Sequence, residues 1–471
     1  PVWLTAFTAS GTGGEFAQPC DATVEAQTGI SNDLHENALK AATAKGSETT
    51  PYNLSNNTGG NTVENTANCY VVNAPGYYSL PLVYGNAIKN SATNASAYTS
   101  TVTGTNILNP FINHAGNGIT DPYIANNNGC TPAKAELVWQ DAMNLVTDIK
   151  YNADSNGGNI SFKVDRSSIR QGNAVIAIKD VSDAILWSWH VWVTDEDINN
   201  VIEITNHQNV KYNFMPVNLG QCDGNTITYE ERSCKVKFIA GDQSKEITIK
   251  QLANVIATGS NAPFYQWGRK DPLYPSNGMG NTTKIWYDKE GIPSTANPMK
   301  GTFSAGNDCI KNCILNPNLM HNRYNGDYTY YNLWSADNKT TSANDNPVNK
   351  TIYDPCPVGF KLPASNAFTG FTTTGESVSS STQVNGTWSS SEKGWYFYTN
   401  SEKTQSIFFP ALGYRSYSTM RPGSIGTQGC FWSAHPVAKG NNYYLRTSSV
   451  DVQPTYMVDR GFGYALRPCQ D

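Results

Sequence analysis

The sequence predicts a mostly β fold with some α, and three observations predict it. From Ile407 to Asp471, short apolar or aromatic pieces (IFFPALGY, CFWSA, YYLR, VDV, GYALRPC) alternate with polar pieces containing Gly or Asn, the rhythm of short antiparallel strands joined by surface loops. From Ala184 to Thr194, the run AILWSWHVWVT sets Ile185, Trp187, Trp189, Val191 and Val193 against Leu186, Ser188, His190 and Trp192, the period of two of a half-buried or fully buried strand. Charged residues are only 15% of the chain while aromatics reach 11%, with 26 Tyr and 11 Trp. With abundant Asn, Ser, Thr and Gly, this describes an extracellular β-rich protein better than a cytoplasmic enzyme. At 471 residues the chain exceeds one ordinary domain, and two or three are expected.

In order along the chain, residues 1–65 are polar and turn-rich around an alanine-rich patch, ENALKAATAK, long enough for two helical turns, and are read as an irregular N-terminal segment. Asn68 to Asn86 brings two β-rich runs separated by Ala74-Pro75-Gly76, which predicts a strand pair about a turn. Lys89 to Gly129 reads as long surface loops. Ala135 to Tyr151 fits a helical stripe or two strands; the following SNGGN turn and the runs ISFKV and AVIAIKD favour strands. A β-sandwich is therefore expected over 66–200, and a second domain over 201–471. In the latter, Ser233 to Ile239 and Lys245 to Lys250 predict a hairpin around Ala240-Gly241-Asp242. Tyr274 to Asn349, rich in Asn and Gly, reads as a long loop excursion, and ASNAF after Pro363 opens only a short helix.

Composition and motifs exclude several classes. A formal net charge of −5 with no basic footprint argues against nucleic acid as a partner, and no run of eighteen apolar residues exists to span a membrane. The chain begins at Pro1 rather than Met, which leaves room for a removed signal, lipidation or pro-segment. Ten widely spaced cysteines suit an oxidising compartment. Cys222 and Cys234 flank the predicted hairpin at a spacing that allows a bridge, although spacing does not establish connectivity. Cys309 and Cys313 have no His nearby in sequence, which argues against zinc. His190, inside an apolar strand, reads as a satisfied core residue, and His114, His207, His321 and His435 stand isolated in polar stretches. There is no GxSxG, HExxH or P-loop. The acidic cluster Asp195, Glu196 and Asp197 reads as a solvated turn before a cation site. No cofactor is expected.

The C-terminal pattern FPA-x-GYR, FWSA, YYL, V-x-P and GYALRPC, preceded in order by FMPVNLG (Phe214 to Gly220), FYQWGRKDP (Phe264 to Pro272) and YDPCPVGFKLP (Tyr353 to Pro363), resembles the C-type-lectin-like domains of gut Bacteroidetes surface proteins. Several of these are pilus-tip adhesins, and some are targets of diversity-generating retroelements that rewrite loop residues on a fixed scaffold. The resemblance covers roughly the C-terminal half. It implies a C-type-lectin-like α+β domain over 201–471 and a Cys356–Cys469 disulfide. It also implies a secreted, outer-surface or pilus-tip location, with a host, microbial or phage surface protein or glycan as partner. A stalk subunit joined by strand addition would be a further partner. Gln453-Pro454 resembles a calcium-lectin loop, but Thr455 stands where a carboxylate is needed, so calcium-dependent sugar binding is not expected. The formylglycine-generating cysteine oxidases share this scaffold and are the enzymatic alternative. Cys430 and Cys469 are too far apart in sequence to match their reactive pair. A glycan-binding module of a carbohydrate-utilisation system is the other alternative.

Within this reading Tyr414, Trp432, Tyr443, Tyr444 and Tyr464 are framework. The ligand-binding surface is assigned to Arg415, Tyr417, Met420, Arg421, Ile425, Thr427, His435, Val437, Lys439, Asn441, Asn442, Arg446, Asp451, Gln453, Tyr456 and Met457. Tyr and Arg are enriched at binding hot spots, and such a set exposed together is a contact patch rather than a soluble surface.

Overall fold

The computed structural model describes residues 30–223, 226–240, 242–257, 262–275, 284–301, 306–322, 330–438 and 440–471. The fold is mostly β, with 37% strand, 7% helix and two α-helices among the described residues. The chain divides into two compact units. One is Pro1–Leu34 with Asp223–Gly259, and the other is His35–Cys222 with Ser260–Asp471. The divisions expected at 65/66 and 200/201 therefore lie inside the second unit. One apolar core takes Tyr78, Ile160 and Trp187 together with Trp267, Tyr353, Trp432 and Leu466, and this sharing overrides the composition shifts along the chain.

In the first unit, Thr226–Tyr229 lies between the antiparallel strands Ile30–Asn32 and Asn254–Ala257. The predicted hairpin is present, paired from Arg232↔Gln251 to Ala240↔Gln243.

The second unit contains a six-stranded sheet in the order Pro293–Ser294, Trp286–Tyr287, Lys134–Gln140, Gly172–Lys179, Ile185–Val193, Cys69–Val72. Ile185–Val193 is buried at every position. It pairs antiparallel with Gly172–Lys179 and parallel with Cys69–Val72, which is why its apolar run is nearly continuous rather than alternating. A four-stranded sheet runs Tyr52–Asn53, Gly76–Pro81, Asn159–Val164, Thr147–Asn152. Cys69–Val72 and Gly76–Pro81 are both strands but do not pair with each other, because the Ala74-Pro75-Gly76 turn passes the chain from one sheet to the other. A second core is dominated by phenylalanine, with Phe371 stacked on Phe397 at 3.9 Å and Phe409 edge-on to Phe431 at 5.0 Å.

Two helices interrupt stretches read as irregular. Helix α1, Leu34–Ala41, lies in ENALKAATAK and the residues just before it, and buries Leu39. Helix α2, Gly306–Leu315, lies in the expected loop excursion; Asp308 in its first turn suits the helix dipole, and Ile310 and Ile314 give it a buried stripe.

No disulfide is seen among the described cysteines. The Cys356–Cys469 bridge is absent and both remain buried thiols. The join it was expected to make is made by backbone pairing instead, Phe360↔Gln470 and Lys361↔Cys469. Cys222 and Cys234 are likewise not bridged: Cys234 lies opposite Ile249 on the hairpin, and Cys222 Sγ meets Asn173 Nδ2 at 3.4 Å. Alkylation of unfolded, unreduced protein followed by peptide mapping is expected to label Cys356 and Cys469; protection of both until a reductant is added would contradict the structure.

His190 is a satisfied core histidine. The Asn173 amide nitrogen donates to Asp141 and to the Gly220 carbonyl, so its oxygen accepts from His190 Nε2 at 2.9 Å. The Tyr265 hydroxyl donates to Nδ1 at 3.1 Å. Burial pushes the His190 pKa down to about 3. The unfolded imidazole protonates near 6.5; this contribution is thus complete above that value and lost as pH falls toward about 3. His190→Gln is expected to flatten the fall in stability between about pH 7 and pH 4 in denaturant titrations, while costing about 1–3 kcal/mol near neutrality. An unchanged slope would refute the assignment.

Candidate functional site

The C-terminal surface is built on the sheet Gly429–Pro436, Asn441–Thr447, Val452–Asp459. The first strand is buried throughout. The third faces outward at Tyr456 and Met457, which are 45% and 51% exposed. Tyr444 pairs with Tyr456 and Arg446 with Gln453, with a register irregularity between them. Such irregularities re-aim side chains.

Tyr456 stands on a buried aromatic column. Its ring is 5.7 Å from Tyr444, which is 4.7 Å from Tyr464, which is 4.4 Å from Trp432. The Trp432 indole N–H closes the column by donating to the Tyr265 carbonyl at 2.9 Å. On the outer side the Arg446 guanidinium lies 5.8 Å over Tyr456 and bonds Asp451 at 3.1 Å and Gln453 at 3.3 Å. A stacked, paired guanidinium loses little further entropy on meeting a ligand. Arg446, Asp451, Gln453 and Tyr456 are thus brought together, while Met457, the next residue along the strand and opposite Tyr443, is exposed on the other face.

A second group branches from the same column. Tyr417 packs edge-on to Phe462 at 4.8 Å, and Phe462 lies 5.8 Å from Tyr464. Tyr417 and Ile425 are partly buried against the apolar core, whereas Arg421 and Thr427 are exposed. Val437 and Asn441 are half-buried at a strand turn, with the Val437 N–H on the Asn441 carbonyl at 2.9 Å.

Four residues assigned to the surface are buried. Arg415 donates to the Met420 and Tyr274 carbonyls and to Asn297, and Met420 is enclosed by the same turn. The Asn442 amide donates to the Ser433 carbonyl. His435 is inside the first strand, its pKa pushed down to about 4 by burial. A polar residue between aromatic anchors reads as exposed in sequence, yet here Arg415 and Asn442 cap buried carbonyls and His435 Nδ1 accepts the Ser365 N–H at 3.5 Å. Lys439 lies outside the described residues. Of the framework set, Trp432, Tyr444 and Tyr464 are buried, and Tyr414 and Tyr443 half-buried.

Other side chains stand differently from their sequence reading. Asp195 accepts from His35 Nδ1 at 3.0 Å rather than standing free on a turn. His114 and His321 are buried, and His321, in the short strand after helix α2, faces Cys313. Buried arginines escaped the sequence reading as well. Arg460 lies 4.2 Å over Trp267 and bonds the Asn441, Tyr330 and Val437 carbonyls under the surface turn. A signal for two of them was their position beside an aromatic or glycine residue, Arg415 after Tyr414 and Arg460 before Gly461.

No protein-family model, curated protein or solved structure matches this chain.

The division between column and patch is directly measurable. Tyr444→Ala, which empties the column, is expected to cost about 3 kcal/mol or more, and Tyr456→Ala under about 1 kcal/mol, in chemical denaturation. Equal costs would mean that Tyr456 is framework.

Proposed function

We propose that this chain is a cell-surface adhesin, carried at the outer surface or a pilus tip, that binds a protein or glycan of a host, microbial or phage surface. Binding uses the C-terminal loop surface, whose residues a retroelement diversifies, and involves no catalysis. The observation that carries the reading is the exposed Tyr456–Met457 edge with Arg446 held over it, standing on a buried aromatic column. Large rigid side chains already fixed in place lose little freedom on association, and Tyr and Arg are typical hot-spot residues. A pocketed reaction centre is not needed for this. Against the oxidase alternative, Cys430 is buried and its thiol is pushed up to about 12 by desolvation, the opposite of an activated nucleophile. Diversification fits the same layout, because side chains on the outer face can change while the column keeps the backbone.

The test is binding of the intact chain to host and microbial cell surfaces and to glycan and surface-protein arrays, with and without chelator. Tyr456→Ala and Arg446→Ala are each expected to weaken binding about tenfold or more, and chelator to leave it unchanged. Binding that persists in both variants, or that chelator abolishes, would remove the function from this patch. Binding restricted to glycans, unaffected by the variants, would favour a carbohydrate-utilisation module.

A further inference from the structure

Helix α2 presents Cys309 and Cys313 one turn apart, and an i, i+4 pair shares one helix face. Cys309 is buried and Cys313 half-exposed. Both line a small cavity of about 30 Å³, walled on the opposite side by Gly268 to Asp271 and by Tyr330 and Tyr353. Close to the helix sits His321, 2% exposed, whose ring faces the Cys313 thiol. Arg269 reaches into the same region, donating to the Gln266 side chain and to the Leu319 and Pro317 carbonyls. Lys270 is neutralised by Asp271, bonded at 2.7 Å. Tyr353 is held neutral by burial. Asp308 and Lys311, on the outer face of the helix, pair with each other at 3.4 Å.

We infer that Cys313, with Cys309 as its partner thiol, is a nucleophilic site that exchanges with low-molecular-weight disulfides. The Cys313 thiolate attacks one sulfur of R–S–S–R, a Cys313–S–S–R bond forms, and RS⁻ leaves to take a proton from solvent. The Cys309 thiol, its proton lost to solvent, attacks the Cys313 sulfur and expels the second RS⁻. Two protein thiols are oxidised and one small disulfide is reduced to two thiols. The second step needs backbone movement, since Cβ atoms at i and i+4 stand about 5–6 Å apart in a regular helix, against about 3.5–4.5 Å in a disulfide. The mixed disulfide is therefore the product that accumulates.

The electrostatics agree. The hydrogen bond from Cys309 to Cys313, then the interactions with His321 and Arg269, outweigh burial and hold the Cys313 thiol well below its usual range. The other buried thiols, Cys69, Cys356, Cys430 and Cys469, are pushed up by burial.

The experiment is exposure of the folded chain to limiting 2-hydroxyethyl disulfide near pH 6, followed by acid quench and peptide mapping. An ordinary thiol is under about 1% ionised there. The adduct is expected on Cys313, formed about tenfold or more faster than on the half-exposed Cys234. Mapping the wild-type chain makes the result independent of whether variants fold. His321→Gln is expected to slow the reaction about threefold or more while leaving Cys234 unchanged. First modification at any other cysteine, or no preference over Cys234, would overturn the inference; so would a His321→Gln rate equal to wild type.

Discussion

Buried backbone carbonyls need donors whether they lie within strands or between them, and the structure of the second unit depends on meeting that need. Its irregular segments run through the interior, and tryptophan and arginine supply the N–H groups. Trp267 donates to the Ser433 carbonyl, Trp334 to that of Tyr353, Trp432 to that of Tyr265 and Trp395 to that of Ser448. Arg467 donates to the Met215, Pro216 and Phe408 carbonyls. Each bond contributes only about 0.5–1.5 kcal/mol net, but a buried carbonyl left alone costs about 1–3 kcal/mol. The pins are thus worth more as a bar to alternative packings than as a sum of bond energies. Burial lowers Arg467 to about 9 and Arg415 to about 10, so both remain cations near neutrality while losing their water to carbonyl oxygens.

This arrangement separates what holds the surface from what the surface displays. Tyr456, Met457, Arg421 and Thr427 contribute little to the pins, whereas Trp432, Arg415 and Arg460 carry them from beneath, with Tyr444 and Tyr464 packed beside them. A loop whose carbonyls are fixed by groups from elsewhere keeps its path when its outer side chains change. A loop that relied on its own side chains for capping would not. The adhesin reading draws on this separation, which allows chemical variety at constant backbone geometry.

What could be read from the sequence followed from whether the deciding interaction was local. Ile185–Val193 announced itself by its own residues, and so did the hairpin at Arg232–Gln251. The motifs FMPVNLG, FYQWGRKDP, YDPCPVGFKLP and GYALRPC also stood out, and in space they meet. Met215 N–H bonds the Pro468 carbonyl, Leu219 N–H that of Leu466, and Ala434 N–H that of Pro363. The pairing of Cys69–Val72 with Ile185–Val193 rather than with Gly76–Pro81 was not legible, because it is fixed by a partner more than a hundred residues away. The burial of Arg415, His435 and Asn442 was hidden for the same reason. Helix α2 had a legible stripe in Ile310 and Ile314, but it was masked by the Asn- and Gly-rich composition around it. The thiol site went unread because His321, eight residues after Cys313, is carried back toward helix α2 by the chain beyond Leu315, whose short strand Met320–His321 has no pattern of its own.

Gln266 ties these two regions together. Its amide nitrogen donates to the His321 carbonyl at 2.8 Å and to the Gly461 carbonyl at 2.7 Å, while its oxygen accepts from the His321 N–H and from Arg269. Gly461 follows the outer strand that displays Tyr456 and Met457, and His321 faces the thiol helix. One fully buried amide, with donors and acceptor all engaged, thus fixes the return of the outer strand and the position of the imidazole beside Cys313. A side chain so used cannot be exchanged for an apolar one of similar size without orphaning two carbonyls and an N–H at once. The proposed recognition surface and the proposed thiol site, distinct in chemistry, are therefore bound to one element of the frame, and a change in the packing around Gln266 reaches both.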